Sequence, residues 1–288
     1  MRAFLAAALI GLIALTDVLA TPVLAGPVHV FVSIPPLQYL VEKVGGAQVR
    51  VQTLVGPGQS PATYEPGPRV MAKLDQARLL VRTGVPFEKA WIGKIQAAHP
   101  SLKIWDARTD LPLRQMQGQG HADHDHGTRD PHFWTNPLLF KQAAHHLAAV
   151  LAELMPEQRA TFEKNAQVFG RQLDAVDQDI RGLLAGLSKH DFMVYHPSWG
   201  YFADAYGLHQ RAIEVEGKSP GARGLAKLID QLRQSGLKTL FVQPQFSQQN
   251  ARALAAETGG KVVVIDPLAY DYLNNLRQIA AKIAEANQ

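Results

Sequence analysis

Eleven histidines and no cysteine decide which coordination chemistry this chain can offer. Disulfides, thiolate metal sites, iron–sulfur clusters, a cysteine nucleophile and a lipidated N-terminal cysteine are all excluded. Imidazole and carboxylate remain, a donor set that suits divalent transition metals. Position then separates informative residues from ordinary ones. In open parallel sheets, ligands bind beyond the carboxyl ends of the strands. His196 directly follows an apolar strand-like run at 192–195, and Asp266 follows one at 261–265. His132 closes a long polar loop that begins after the run at 102–105. The loop at 56–68 follows another such run and carries Tyr64 and Glu65. Alone, His132 reads as a surface histidine, His196 as a helix cap and Asp266 as a turn aspartate. Together, at the facing rims of two lobes, two imidazoles and a carboxylate form a candidate divalent metal site.

Of the other nine histidines, His29, His99, His190 and His209 are uninformative and the remaining five fall in two groups. His121, His124 and His126 alternate with Asp123 and Asp125 in a loop, residues 118–130, that opens within the Gln-Gly-Gln-Gly run at 117–120. Such a run binds transition metals weakly and has no rigid site of its own. Its expected role is auxiliary, to raise the local metal concentration or feed a better site. His145 and His146 are adjacent on a helix, point in different directions and lack an HExxH pattern. They read as structural.

These residues need elements to hold them. Apolar runs at 28–33, 48–55, 79–82 and 102–105 read as strands, with helices at 35–44 and 87–97 between them. Asn136 is placed to cap a helix that opens on Pro137. Beyond Pro156, apolar residues fall at Phe162, Ala166, Phe169, Leu173, Val176, Ile180, Leu183 and Leu187, in alternating steps of four and three. That is a one-face helical stripe. A helix of roughly thirty residues spans about 45 Å, too long for one small lobe. No second stripe matches it, so it reads as a strut between lobes rather than a coiled-coil arm. Strands then recur at 192–195, 210–214, 239–242 and 261–265, with helices at 198–206, 221–235, 248–258 and 271–286. The predicted fold is α/β, with two lobes, each a parallel β-sheet flanked by helices, joined by one long backbone helix.

The first 25 residues set the compartment. Arg2 precedes an apolar stretch to Leu15, and small residues follow at Ala20 and Ala25. This is a secretory signal pattern, and its apolar run falls short of the about 20 residues a bilayer needs. Cleavage after Ala20 or Ala25 is possible, with the second favoured because Gly26-Pro27 leads into the first strand. The expected organisation is a signal peptide at 1–25, an N-terminal lobe at 26–155, the long helix at 156–188 and a C-terminal lobe at 189–288. Charged residues make up 19% of the 288-residue chain and the net charge is +4, without a dense basic tract, so nucleic acid is not an expected partner.

Several segments, in this order and spacing, resemble the metal-binding substrate-binding proteins of bacterial ABC importers, the zinc-uptake and TroA-like group. They are Val32 to Pro36, Ser60 to Pro66, Asp130 to Trp134 with Pro137, His196-Pro197 with Tyr201-Phe202, Phe241 to Ser247, and Asp266 to Leu268. The resemblance covers essentially the whole mature chain. It implies an exported periplasmic receptor, monomeric, that captures Zn²⁺ between its lobes and docks on a membrane permease powered by a separate ATPase. It also implies a site of three histidines and a carboxylate, mapping to His132, His196 and Asp266. The first histidine of the pattern maps to Ala62, whose methyl group cannot coordinate. Water, Glu65 from the same loop, or a histidine of the 121–126 run would have to fill the fourth position. A carboxylate there would shift preference toward Mn²⁺. Two other readings compete. One is a zinc hydrolase with Glu65 as base, against which no HExxH motif or nucleophile elbow is present. The other is a divergent member that binds another ligand or serves as a periplasmic metal buffer or sensor. Imidazole must be neutral to bind metal, so affinity is expected to fall on acidification through pH about 6.5. Competition titrations across that range check it.

Overall fold

The structure is a computed structural model that describes residues 26–116, 129–214, 236–257 and 259–287. The signal segment, most of the 118–130 loop with its three histidines, and the helix expected at 221–235 lie outside the described residues.

Two four-stranded sheets carry the fold. The first contains β1 (Val28–Val32), β2 (Val49–Thr53), β3 (Leu79–Arg82) and β4 (Lys103–Asp106), in the order β2-β1-β3-β4. The second contains β5 (Asp191–Val194), β6 (His209–Ala212), β7 (Thr239–Val242) and β8 (Lys261–Val264), in the order β6-β5-β7-β8. Every pairing is parallel, with Val30 opposite both Val51 and Leu79, and Val194 opposite both Ala212 and Phe241. The central strands are apolar runs buried along nearly their whole length, as a sheet covered by helices on both faces requires. All four residues of β7 are buried. In each sheet the chain changes its direction of travel between the first and third strands. That switch point opens a crevice at the strand ends, with Ser33 and Thr83 beside one crevice and His196 and Gln243 beside the other.

The helices are α1 (Pro35–Gly45), α2 (Pro68–Leu74), α3 (Pro86–Ala98), α4 (Pro137–Leu154), α5 (Arg159–Leu184), α6 (Gly200–Tyr206), α7 (Gln248–Glu257) and α8 (Tyr272–Asn287). Asn136 caps α4, its Oδ1 accepting from Leu138 N at 2.9 Å and Leu139 N at 3.3 Å. One element was not expected and one expectation is corrected. Helix α2 has only seven residues, too few to show a periodic pattern in the sequence. The long helix is shorter than 156–188. A 3₁₀ turn at Pro156–Gln158 precedes α5, whose 26 residues end at Leu184. Within its last turn Leu183 is exposed and Leu184 is buried. A strict seven-residue repeat drifts around a straight helix by about 20° per heptad. Three heptads past Phe162, that drift turns Leu183 out and brings its neighbour in.

Helix α5 spans about 39 Å at 1.5 Å per residue and packs against α1, α4 and α8. Its buried stripe, Phe162 through Ile180, belongs to one hydrophobic core that runs from β1 to α8. Aromatic rings join the lobes across it. Phe140 of α4 stacks on Tyr272 of α8 at 4.3 Å, and Phe169 lies 6.1 Å from Phe140 and 5.8 Å from Tyr39. A smaller cluster of Met193, Tyr195, Ile213, Leu240, Val242 and Ala251 covers the other face of the second sheet. Phe169→Ala is expected to cost about 3–5 kcal/mol and to destabilise both lobes in one transition. Asn136→Ala is expected to cost about 1 kcal/mol. Urea denaturation followed by circular dichroism measures both.

Candidate metal centre

A cavity of about 330 Å³ separates the rims of the two sheets, and both predicted imidazoles line it. The rings of His132 and His196 stand 5.4 Å apart, edge to face at 73°. Each has a carboxylate behind it. His132 Nδ1 lies 2.7 Å from Asp130 Oδ1, which also accepts from His132 N at 3.0 Å. His196 Nδ1 lies 2.5 Å from Glu214 Oε2. With Nδ1–H donating to the carboxylate, the lone pair sits on Nε2, and that nitrogen of each ring is left for a ligand in the cavity. A carboxylate–histidine pair of this kind sets tautomer and ring orientation and raises ligand basicity.

Electrostatics at His132 favour the neutral ring. Burial holds its pKa below the ordinary imidazole range, although Asp130 pulls the other way. Burial would raise the Asp130 carboxyl, but the His132 ring and Arg114 hold it below the usual carboxylate range. Asp130 is wholly inaccessible to solvent, which is tolerable for a charge only because both its oxygens are engaged.

Both histidine turns are splinted to their sheets. Thr83 Oγ1, just past β3, donates to Pro131 O at 3.2 Å. Buried Glu88 secures that strand end in turn, accepting from Thr83 N at 3.0 Å and Gly84 N at 2.6 Å. Past β7, Gln243 Nε2 donates to His196 O and to Ser198 Oγ, each at 2.9 Å. The rings also rest on aromatic faces, Trp134 at 5.1 Å from His132 and Phe246 stacked 5.4 Å from His196. Trp134 Nε1 donates across the lobes to Pro267 O at 2.8 Å.

The remaining candidates lie differently. Asp266 follows β8, and its neighbours Pro267 and Leu268 line the cavity, but its own side chain does not. Its Oδ1 accepts from Leu268 N at 2.9 Å and from Gln245 Nε2 at 3.1 Å. Among the described residues, no three His, Asp or Glu side chains already stand together as a metal-holding group. Ala62 lines the cavity on the loop where the family pattern has histidine, whereas Glu65 is exposed and does not line it. His121, His124 and His126 lie outside the described residues. Glu214 escaped the sequence reading. It lies two residues past β6, so the strand-end rule that singled out His196 also applies to it, but it reads as the last residue of the predicted strand at 210–214.

Comparison with known proteins places this geometry in context. A family model described as ZnuA, zinc-uptake complex component A, periplasmic, matches residues 30–286. A crystal structure of ZnuA is 40% identical, with a TM-score of 0.85 over 91% of this chain and 100% of that one. The zinc-binding lipoprotein AdcA of Streptococcus pneumoniae serotype 4 is 28% identical over 253 residues, 84% of this chain. The match covers 50% of AdcA, so the chain spans half the length of that relative. A putative metal-binding protein of Chlamydia trachomatis serovar D is 27% identical over 257 residues, covering 89% of this chain and 90% of its own.

The carboxylates behind the rings generate a direct test. Glu214→Gln keeps the side-chain shape but weakens the hold on His196, and divalent-metal affinity is expected to fall about 10–100-fold. Competition against a chromogenic chelator measures the loss, with circular dichroism to show an unchanged fold.

Proposed function

The chain belongs to the periplasmic zinc-uptake complex component A family, and from that premise we propose that it captures Zn²⁺ between its lobes for delivery to an ABC-type permease driven by a separate ATPase. One observation carries the reading. His132 and His196 come from different lobes, face each other across one cavity at 5.4 Å, and each has a carboxylate on Nδ1. Nothing in a surface histidine or a helix cap calls for such a pair.

Capture proceeds by coordination alone. The two Nε2 atoms are the first donors. Asp266 is the proposed third, its carboxylate exchanging the bonds to Leu268 N and Gln245 for the cation as the lobes settle on it. With Ala62 in the cavity wall, water fills the remaining position of a tetrahedral zinc. The loop with His121, His124 and His126 serves as the auxiliary weak site. The hydrolytic alternative loses its base, because Glu65 is exposed and off the cavity. Export to the periplasm, with residues 1–25 removed, completes the proposal.

Calorimetry on metal-stripped protein tests it. One tight Zn²⁺ per chain is expected, and His132→Ala or His196→Ala should each weaken it by at least 10–100-fold, since even loss of an outer-shell partner costs that much. Parent-like binding by both variants would refute the site.

A further inference from the structure

Arg114 lies on the N-terminal side of the 118–130 loop, next to the antiparallel bridge between Gln115 and Arg129. Its guanidinium leaves its own lobe's turn and reaches the other lobe. Nη1 donates to Asp130 Oδ2 at 3.2 Å, the oxygen that His132 does not use. Nε pairs with Asp204 Oδ2 of α6 at 3.0 Å. The group lies over the Tyr201 ring, 5.8 Å from its centroid. The same segment is tied by backbone. Arg114 N donates to Tyr201 Oη at 3.1 Å, and Tyr201 Oη–H donates to Asp130 O at 2.9 Å.

The seat for this guanidinium is a glycine. A Cβ on Gly200 would fall 1.2 Å from Arg114 Nη1 and 2.4 Å from Cζ. Gly200 opens α6, four residues after His196. Arg114 therefore joins the carboxylate that orients His132 to the helix that continues directly from His196. The guanidinium is hydrogen-bonded to Asp130 through Nη1 while its Nε edge lies within ion-pair distance of Asp204, and the compact ammonium of lysine does not reproduce that planar, extended shape.

We propose that Arg114 is a positioning residue for metal capture, fixing the Asp130–His132 turn relative to His196 by bridging Asp130 to the start of α6 over Gly200. The proposal rests on the reading of His132 and His196 as ligands. It gives Arg114 no contact with the metal. Its effect passes through Asp130 to the His132 ring and through α6 to the His196 segment.

The test uses the full chain, with Zn²⁺ affinity from chelator competition and the ligand-field spectrum of the Co²⁺-loaded protein. Arg114→Ala is expected to bind Zn²⁺ about 10–100-fold more weakly and to alter the Co²⁺ spectrum, with thermal unfolding of the metal-free protein as the control for folding. Arg114→Lys should recover only part of the affinity. Gly200→Ala displaces the end of a flexible side chain rather than backbone, so it should reproduce the loss without removing a charge. The double variant should bind no worse than Arg114→Ala, because residues that act as one unit are not additive. Should Arg114→Ala fail to fold, Gly200→Ala and Arg114→Lys carry the comparison. Parent-like affinity and Co²⁺ spectrum in Arg114→Ala, or losses that multiply in the double variant, overturn the proposal. His132→Ala run alongside separates the two levels. If it too binds like the parent, the site assignment fails and the positioning role with it. If it alone loses binding, the site stands and only the role of Arg114 falls.

Discussion

Two rings supplied by separate lobes can share a cation only if the lobes do not slide past each other, and the means of preventing this is a single apolar core that does not stop at the lobe boundary. Helix α5 lays Phe162, Ala166, Phe169, Leu173, Val176 and Ile180 along one buried face. Helices α1 and α4 of the first lobe and α8 of the second pack on it. The stacked pair Phe140–Tyr272 and the bond from Trp134 Nε1 to Pro267 O join the lobes a second time, close to the histidines. Interiors packed to crystal density transmit strain rather than absorb it.

Within that frame, the local chemistry is a matter of buried charge. A carboxylate out of water is tolerable only when its oxygens are occupied. Asp130 divides its two oxygens between His132 and Arg114. Glu214 engages His196, and Glu88 is committed to two backbone amides at the end of β3. Each acid thus fixes something by being unable to remain unpaired. The result is two imidazoles, each held at Nδ1 by a carboxylate, that line one cavity. Ala62 and Asp266 both modify this picture. The methyl group of Ala62 removes a donor from the cavity wall. Asp266 keeps its carboxylate in hydrogen bonds to Leu268 N and Gln245 rather than in the cavity wall.

Much of this was open to inspection in the amino-acid order. The central strands are short apolar runs because they are covered on both faces. The capping role of Asn136 follows from its type and from Pro137 after it. The strand-end rule singled out His196 because it follows the apolar run at 192–195, and it would have served for Glu214 had the predicted strand at 210–214 not included that residue. Helix α2 left no trace, since seven residues behind a Gly-Pro start carry too little periodicity. The exchange of Leu183 for Leu184 at the end of α5 depends on accumulated helical drift, which is invisible to a pattern counted in sevens.

Residue types and their order alone determined the α/β alternation, the long apolar stripe, the lack of thiolate chemistry, the strand-end positions of His196 and Asp266 and the place of His132 at the end of the long polar loop. Each of these follows from local rules, periodicity, capping and composition, that operate over a few residues. Only the tertiary structure decided which carboxylate backs which ring, that the Asp266 side chain turns to Leu268 and Gln245, that Glu65 is exposed and off the cavity, and that Arg114 crosses to Gly200. Apart from the local Asp130–His132 and Asp266–Leu268 bonds, those outcomes depend on groups 16 to 87 positions apart in the chain meeting in low-dielectric surroundings. There a single unpaired polar atom costs enough to select one arrangement over another.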